Sequence, residues 1–129
     1  MSKPKQNISK AELEILKVLW DTAPLSADQI VEELQKRQTS HPSTVKTLIH
    51  RLLNKNAISY KEKNRKYFYT SRIKKDKFYR DESNSFLRNF FGGQMVPFIS
   101  FFSEEHDISA EELSELKSLI ERLEQKNGK

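Results

Sequence analysis

The stretch His41 to Asn56, HPSTVKTLIHRLLNKN, leaves this chain fewest ways to fold. Val45, Leu48, Ile49 and Leu52 recur at helical spacing and define a face that must be covered. Ser43, Thr44, Lys46, Thr47, His50 and Arg51 line the rest with short hydroxyls and cationic donors. Pro42 sits at the start, where a missing N–H costs least, and Asn54 and Asn56 are stop residues. The spacing predicts a helix over residues 42–56 with one apolar and one polar, basic face.

Two helices are predicted before it. Ser9 caps the first, and Glu12 three residues on completes a capping box. Leu13, Leu16, Val18, Leu19 and Trp20 supply its apolar face, and Pro24 ends it. Ser26 caps the second, whose stripe is Ala27, Ile30, Val31 and Leu34, with Glu32 and Lys36 spaced for an i,i+4 pair. After the third helix, Ile58–Lys63 and Lys66–Ser71 read as strands rich in tyrosine and phenylalanine, joined by Asn64-Arg65.

Helical spacing returns over Lys74–Phe91 and is interrupted by Gly92-Gly93. Val96–Phe102 is short and almost wholly apolar, with Pro97 admissible only in its first turn. Ser109 and Glu112 form a second capping box. They open a last helix whose stripe is Ile108, Leu113, Leu116, Leu119, Ile120 and Leu123, and Glu124 to Lys129 is expected to fray. The expected fold is mainly α. A winged helix-turn-helix over residues 8–72, three helices plus a two-stranded wing, is followed by a helical dimerisation region over residues 73–126.

The 129 residues suffice for one compact domain, or for a small domain with an oligomerisation element. Only 36% are apolar and 32% are charged, so a single copy buries a limited core and a second copy is expected to complete it. The absence of cysteine excludes disulfides, thiolate zinc sites and cysteine nucleophiles. Neither a run of about 18 apolar residues nor an apolar leader in Met1–Asn7 occurs, so the expected location is the cytoplasm. Charge is uneven. Residues 1–75 carry 16 Lys/Arg against 7 Asp/Glu, a net of +9; residues 76–129 carry 7 against 11, a net of −4. A basic half suits a polyanion.

A helix followed by a basic hairpin is how a winged helix-turn-helix meets DNA, with the helix in the major groove and the hairpin on the backbone. Lys46 is suited to guanine acceptors, and Thr44 and Thr47 to hydrogen bonds and thymine methyls. Ser43 and Arg51 are better placed for phosphates, and His50 for a hydrogen bond to DNA. Lys63, Arg65 and Lys66 crowd the wing tip and suit phosphates. A solvated helix face and a solvated hairpin tip are the competing readings.

Phe86, Phe90, Phe98 and Phe101, with Leu113, Leu116, Ile120 and Leu123, are expected at a dimer interface; a ligand pocket is the alternative for the phenylalanines. His41, His50 and His106 lie far apart without a carboxylate pattern, so no metal site and no cofactor are expected. No Ser/His/Asp triad, phosphate loop or carboxylate pair is present, so the chain is not expected to be an enzyme. A DNA-binding repressor is the favoured function, and a winged-helix protein adaptor without specific DNA binding is the alternative.

Four motifs in register resemble the penicillinase-repressor (BlaI/MecI/CopY) family of bacterial winged-helix repressors. They are Ile8-Ser-x-Ala-Glu-x-Glu-x-Leu-Lys-Val-Leu-Trp20, Ser26-Ala-x-x-Ile-Val-Glu-Glu-Leu34, Ser43-Thr-Val-Lys-Thr-Leu-Ile-x-Arg-Leu-Leu53 and Lys66-Tyr-x-Tyr-Thr70. Gly92-Gly93 and the acidic last helix fall where that family places its dimerisation region. The resemblance implies a homodimer on an inverted repeat in a promoter, with a β-lactam-resistance or related stress operon as target. In its β-lactam branch a membrane sensor-protease pathway leads to cleavage between Asn and Phe. The corresponding pair here is Ser100-Phe101, expected between the short fifth helix and the last one, so proteolysis and ligand release both stay open as the switch. The cysteine-based sensing of the copper branch is excluded by composition.

Overall fold

The computed structural model describes residues 7–128; the expectations for Met1–Gln6 and Lys129 lie outside the described residues. Six helices and one hairpin follow in the order α1 (Lys10–Thr22), α2 (Ala27–Arg37), α3 (Pro42–Asn54), β1 (Ile58–Lys63), β2 (Lys66–Ser71), α4 (Lys75–Phe91), α5 (Met95–Glu105) and α6 (Ala110–Lys126). The described chain divides into two compact units between Arg80 and Asp81, inside α4.

In the first unit, the expected capping box at Ser9 forms, and Ser26 builds another with Gln29. The Ser9 and Ser26 hydroxyls accept from the Glu12 and Gln29 N–H groups, and those side chains accept from the serine N–H groups in return. The core comprises one face of each of α1, α2 and α3, closed by Ala57, Ile58 and Tyr69. Ile15, absent from the expected α1 face, is fully buried, whereas Leu13 is half-buried. Lys36 pairs with Glu33 at 2.9 Å rather than with Glu32. The i,i+3 neighbour is also within reach on a helix surface, and local rotamers decide between the two.

Helix α3 stops two residues before the expected end. Asn56 adopts φ 61°, its N–H donates to Leu53 O, and the Ala57 N–H donates to Leu52 O. This is a Schellman closure, and asparagine tolerates the left-handed conformation that it needs. It turns the chain directly into β1. The hairpin pairs Ile58 with Ser71 through to Lys63 with Lys66. Asn64 and Arg65 form the two-residue turn with φ 53° and 65°, the geometry that matches the right-handed twist of the strands. Leu25 exchanges two backbone hydrogen bonds with Tyr69, fastening the start of α2 to the wing.

Trp20 locks the exit of the hairpin. Its indole N–H donates to Ile73 O at 2.8 Å and to Ser71 Oγ at 3.2 Å. Its ring also contacts Phe78 and Tyr79. The first turns of α4 therefore pack with the first unit.

In the second unit the phenylalanines form a chain of ring contacts. Phe86 meets Phe90, Phe91 and Phe98, and Phe91 meets Phe98 and Phe101. No residue of α5 or α6 is buried in the single chain. In α6 the Ser109 hydroxyl accepts from the Glu112 N–H, but only this half of the expected capping box is present among the described residues. The helix continues to Lys126, past the point where fraying was expected. Among the described residues no helix is long and apolar enough to cross a membrane.

Candidate nucleic-acid interface

The exposed face of α3 is set by what the opposite face must bury. Val45, Ile49 and Leu52 go into the core, and Leu48 packs against its edge. At about 100° per residue, Ser43, Thr47 and His50 then form the centre of the outer face. Lys46 flanks them on one side, and Thr44 and Arg51 on the other. All six are exposed.

Their hydrogen-bonding states differ. His41 is the N-cap of α3: its Nδ1 accepts from the Ser43 N–H at 3.3 Å and lies 2.8 Å from Ser43 Oγ. The Thr47 hydroxyl donates to Ser43 O at 3.0 Å, so it offers a partner its methyl group and its oxygen lone pairs. The Lys46 ammonium lies 3.7 Å from Asp28 Oδ1 in the first turn of α2.

The wing cations do not form one cluster. Cross-strand pairing puts Tyr60, Glu62, Tyr67 and Tyr69 on one face, and Lys61, Lys63, Lys66 and Phe68 on the other. Arg65 sits at the turn. Arg65, Lys66, Glu62, Tyr67 and Tyr69 line a groove of about 360 Å³ with Ser26, Asp28 and Lys46. Lys63 and Lys61, with Pro24, Gln29 and Phe68, line a separate cleft on the opposite face, which Lys66 also reaches. Two of the three expected wing cations thus share a groove with α3, and the third does not.

Tyr60 and Tyr67 stack at 4.2 Å, Tyr67 lining the groove and Tyr60 reaching the opposite cleft. The Tyr60 phenol, by its charge and its hydrogen bond, and then the Glu62 carboxylate push the Tyr67 pKa up. Among the described residues no group of three or more His, Asp or Glu side chains is arranged to hold a metal ion.

Sequence reasoning missed Asp28 and Glu62, the two carboxylates of the groove. In sequence Asp28 is an ordinary acidic residue in a first helical turn. Alternation along β1 carries a signal for Glu62, since it puts that residue on the Tyr60 side.

Of the residues expected at a dimer interface, Phe86, Phe90, Phe101, Leu113, Ile120 and Leu123 are exposed in the single chain, and Phe98 and Leu116 are half-buried. Ser100-Phe101 lies inside α5, five residues before its end, and Ser100 O accepts from the Ser103 hydroxyl at 2.9 Å. This corrects the expectation that the pair falls between α5 and α6. The apolar run is flanked by enough helix-forming residues to carry α5 on to Glu105.

Three helices, a two-stranded wing closed by a tight two-residue turn and an exposed polar α3 face make this a winged-helix protein. Residues 8–122 match the model of the penicillinase repressor family, and the chain belongs to that family. It is 34% identical over 122 residues to the penicillinase repressor of Bacillus licheniformis, covering 95% of this chain and 94% of that one. It is 30% identical over 126 residues to the penicillinase repressor of Staphylococcus aureus, covering 98% and 100%. Among solved structures it is similar to the monomeric form of Bacillus licheniformis BlaI in complex with the blaP half-operator. That likeness has a TM-score of 0.50 and 34% identity, and covers 59% of this chain and 92% of that one.

Proposed function

We propose that this chain is a dimeric, sequence-specific transcriptional repressor. It binds a palindromic operator through α3 and the wing and controls a β-lactam-resistance or related stress operon. The observation that carries the reading is the exposed polar face of α3 beside a wing edge bearing Arg65 and Lys66, in a chain whose relatives are penicillinase repressors. One relative's structure contains a half-operator, which favours DNA over the protein-adaptor reading.

Thr44, Lys46 and Thr47 read bases. Ser43 and Arg51, with Arg65 and Lys66 on the groove side of the wing, hold the backbone, and His50 hydrogen-bonds the DNA; Lys63, in the opposite cleft, stands outside this set. Residues 8–72 with the start of α4 form the DNA-binding part, and the rest, to about residue 126, dimerises. The exposed phenylalanines and the α6 stripe are the surface a second copy covers, because apolar patches of this kind are otherwise unfavourable in water. Two copies then set their α3 helices about 34 Å apart, one turn of DNA. Such a repressor works beside the chromosome, in the cytoplasm, and no step of this reading is enzymatic. Release through a membrane sensor-protease pathway, if the cut is at Ser100-Phe101, requires α5 to open first, since it is helical there.

The test is selection of duplexes from random sequence by the full chain, followed by fluorescence anisotropy over a salt series. A palindrome with half-sites one turn apart, bound more weakly as salt rises, is expected. Enrichment of no sequence would overturn the reading.

A further inference from the structure

We propose that Asp28 is a specificity-determining residue. It holds the Lys46 ammonium beside the first turn of α2, which keeps that cation for base edges and disfavours attachment to phosphates alone. The inference rests on the DNA-binding reading above.

Asp28 Oδ1 and Lys46 Nζ are 3.7 Å apart, and both side chains are more than half exposed. A pair this exposed contributes little to folding in water. Its surroundings are the informative part. Ser26, Asp28, Lys46, Glu62, Arg65 and Lys66 line one groove, where the start of α2, the flank of α3 and the wing converge. A duplex read by α3 and touched by the wing passes its backbone along this groove.

An N-terminal helical turn ordinarily attracts phosphate. Here the first turn of α2 carries a carboxylate of its own. As a duplex enters, water leaves and charge interactions strengthen. Asp28 then repels the nearby phosphates unless a cation stays with it. Lys46 is one helical turn from Ser43 and from His50 on the outer face of α3, so it can address a base edge while remaining near Asp28. If Lys46 swings to the backbone instead, Asp28 is left unpaired against it. The repulsion falls on the sequence-independent mode, and a repulsive group of this kind is one route to specificity. Glu62, across the groove, has Arg65 and Lys66 beside it and adds to the same field.

The experiment compares full-length wild type, Asp28→Asn, Asp28→Glu, Lys46→Met, and Asp28→Asn combined with Lys46→Met. Each is titrated by anisotropy against the selected palindrome and a scrambled duplex of equal length over a salt series. Asp28→Asn is expected to narrow the palindrome-to-scrambled affinity ratio by about fivefold, the effect of one modest interaction. It should also steepen the log K against log salt slope on scrambled DNA by up to about 0.9, as Lys46 joins a phosphate. Asp28→Glu should keep the wild-type ratio, and in the Lys46→Met background Asp28→Asn should change neither the ratio nor the slope further. Asp28→Asn is expected to lose only the small helix-dipole contribution of a first-turn carboxylate to stability, and a loss of that size would act equally on both duplexes, which separates the ratio and slope changes from a structural effect. Equal changes on both duplexes, or an unchanged slope on scrambled DNA, would overturn the proposal and leave the repressor reading intact. Wild type that binds neither duplex would overturn both.

Discussion

The Glu12 carboxylate, 1% exposed, lies 2.6 Å from the Lys55 ammonium and ties the first turn of α1 to the residue that ends α3. The same carboxylate oxygen accepts from the Ser9 N–H at 2.9 Å, and Lys55 also donates to Asn7 O at 2.8 Å. One buried charge thus completes a helix cap and anchors the C-terminal end of α3. The pair is well hydrogen-bonded, the condition under which a buried ion pair is tolerated.

Breaking the pair from the lysine side leaves that carboxylate without its cation. Lys55→Met is expected to cost about 3 kcal/mol, the low end for a broken buried pair, because water reaches Lys55. Burial alone would raise the Glu12 pKa. The Lys55 hydrogen bond, the Ser9 N–H and the Lys55 charge outweigh it and hold the pKa below the ordinary 4.5. A lowered carboxylate pKa means stability that is present above the unfolded value and lost as pH falls through the folded value. Urea melts should show wild type losing more stability than Glu12→Gln as pH falls below about 4.5. Parallel pH profiles would contradict this.

Base reading by α3 is tested at Lys46, and at Thr44 with Thr47. Alanine at either site should lower affinity for the selected palindrome by about 1–3 kcal/mol and change scrambled DNA less. Equal losses on both duplexes would show that these side chains do not read sequence.

The wing turn separates stability from binding at one residue. Arg65 sits at φ 65°, where a non-glycine side chain is strained by about 1–2 kcal/mol. Arg65→Gly is therefore expected to raise the melting temperature while flattening the salt slope on any duplex by about 0.9, one phosphate contact. An unchanged slope would place Arg65 off the DNA.

The proposed assembly rests on the apolar face that a single chain leaves open. Ile120 is 48% exposed on α6. Ile120→Asp should convert a sedimenting dimer to a monomer with its helical content kept, and should cut operator affinity by about 10²–10⁴ through lost tethering. Wild type that sediments as a monomer at micromolar concentration would refute the dimer.

Much of the fold is decided by neighbours a few residues apart, and that part is legible in the sequence. Ser9 with Glu12, Ser26 as the cap of α2, Pro42 at the start of α3 and the Asn64-Arg65 turn all act within one turn of chain. Both strand boundaries follow from the same local chemistry. The face of α3 is legible too, because 3.6-residue periodicity sorts Val45, Ile49 and Leu52 from Thr44, Lys46 and Thr47. The tertiary structure alone decided how these pieces meet. It joined Glu12 to Lys55 across 43 residues and Trp20 to Ile73 across 53. It placed Asp28 against Lys46 and split Lys63 from Arg65. Contacts at such separations depend on the path of the chain and on which rotamers the packed core leaves free, and no local propensity encodes either.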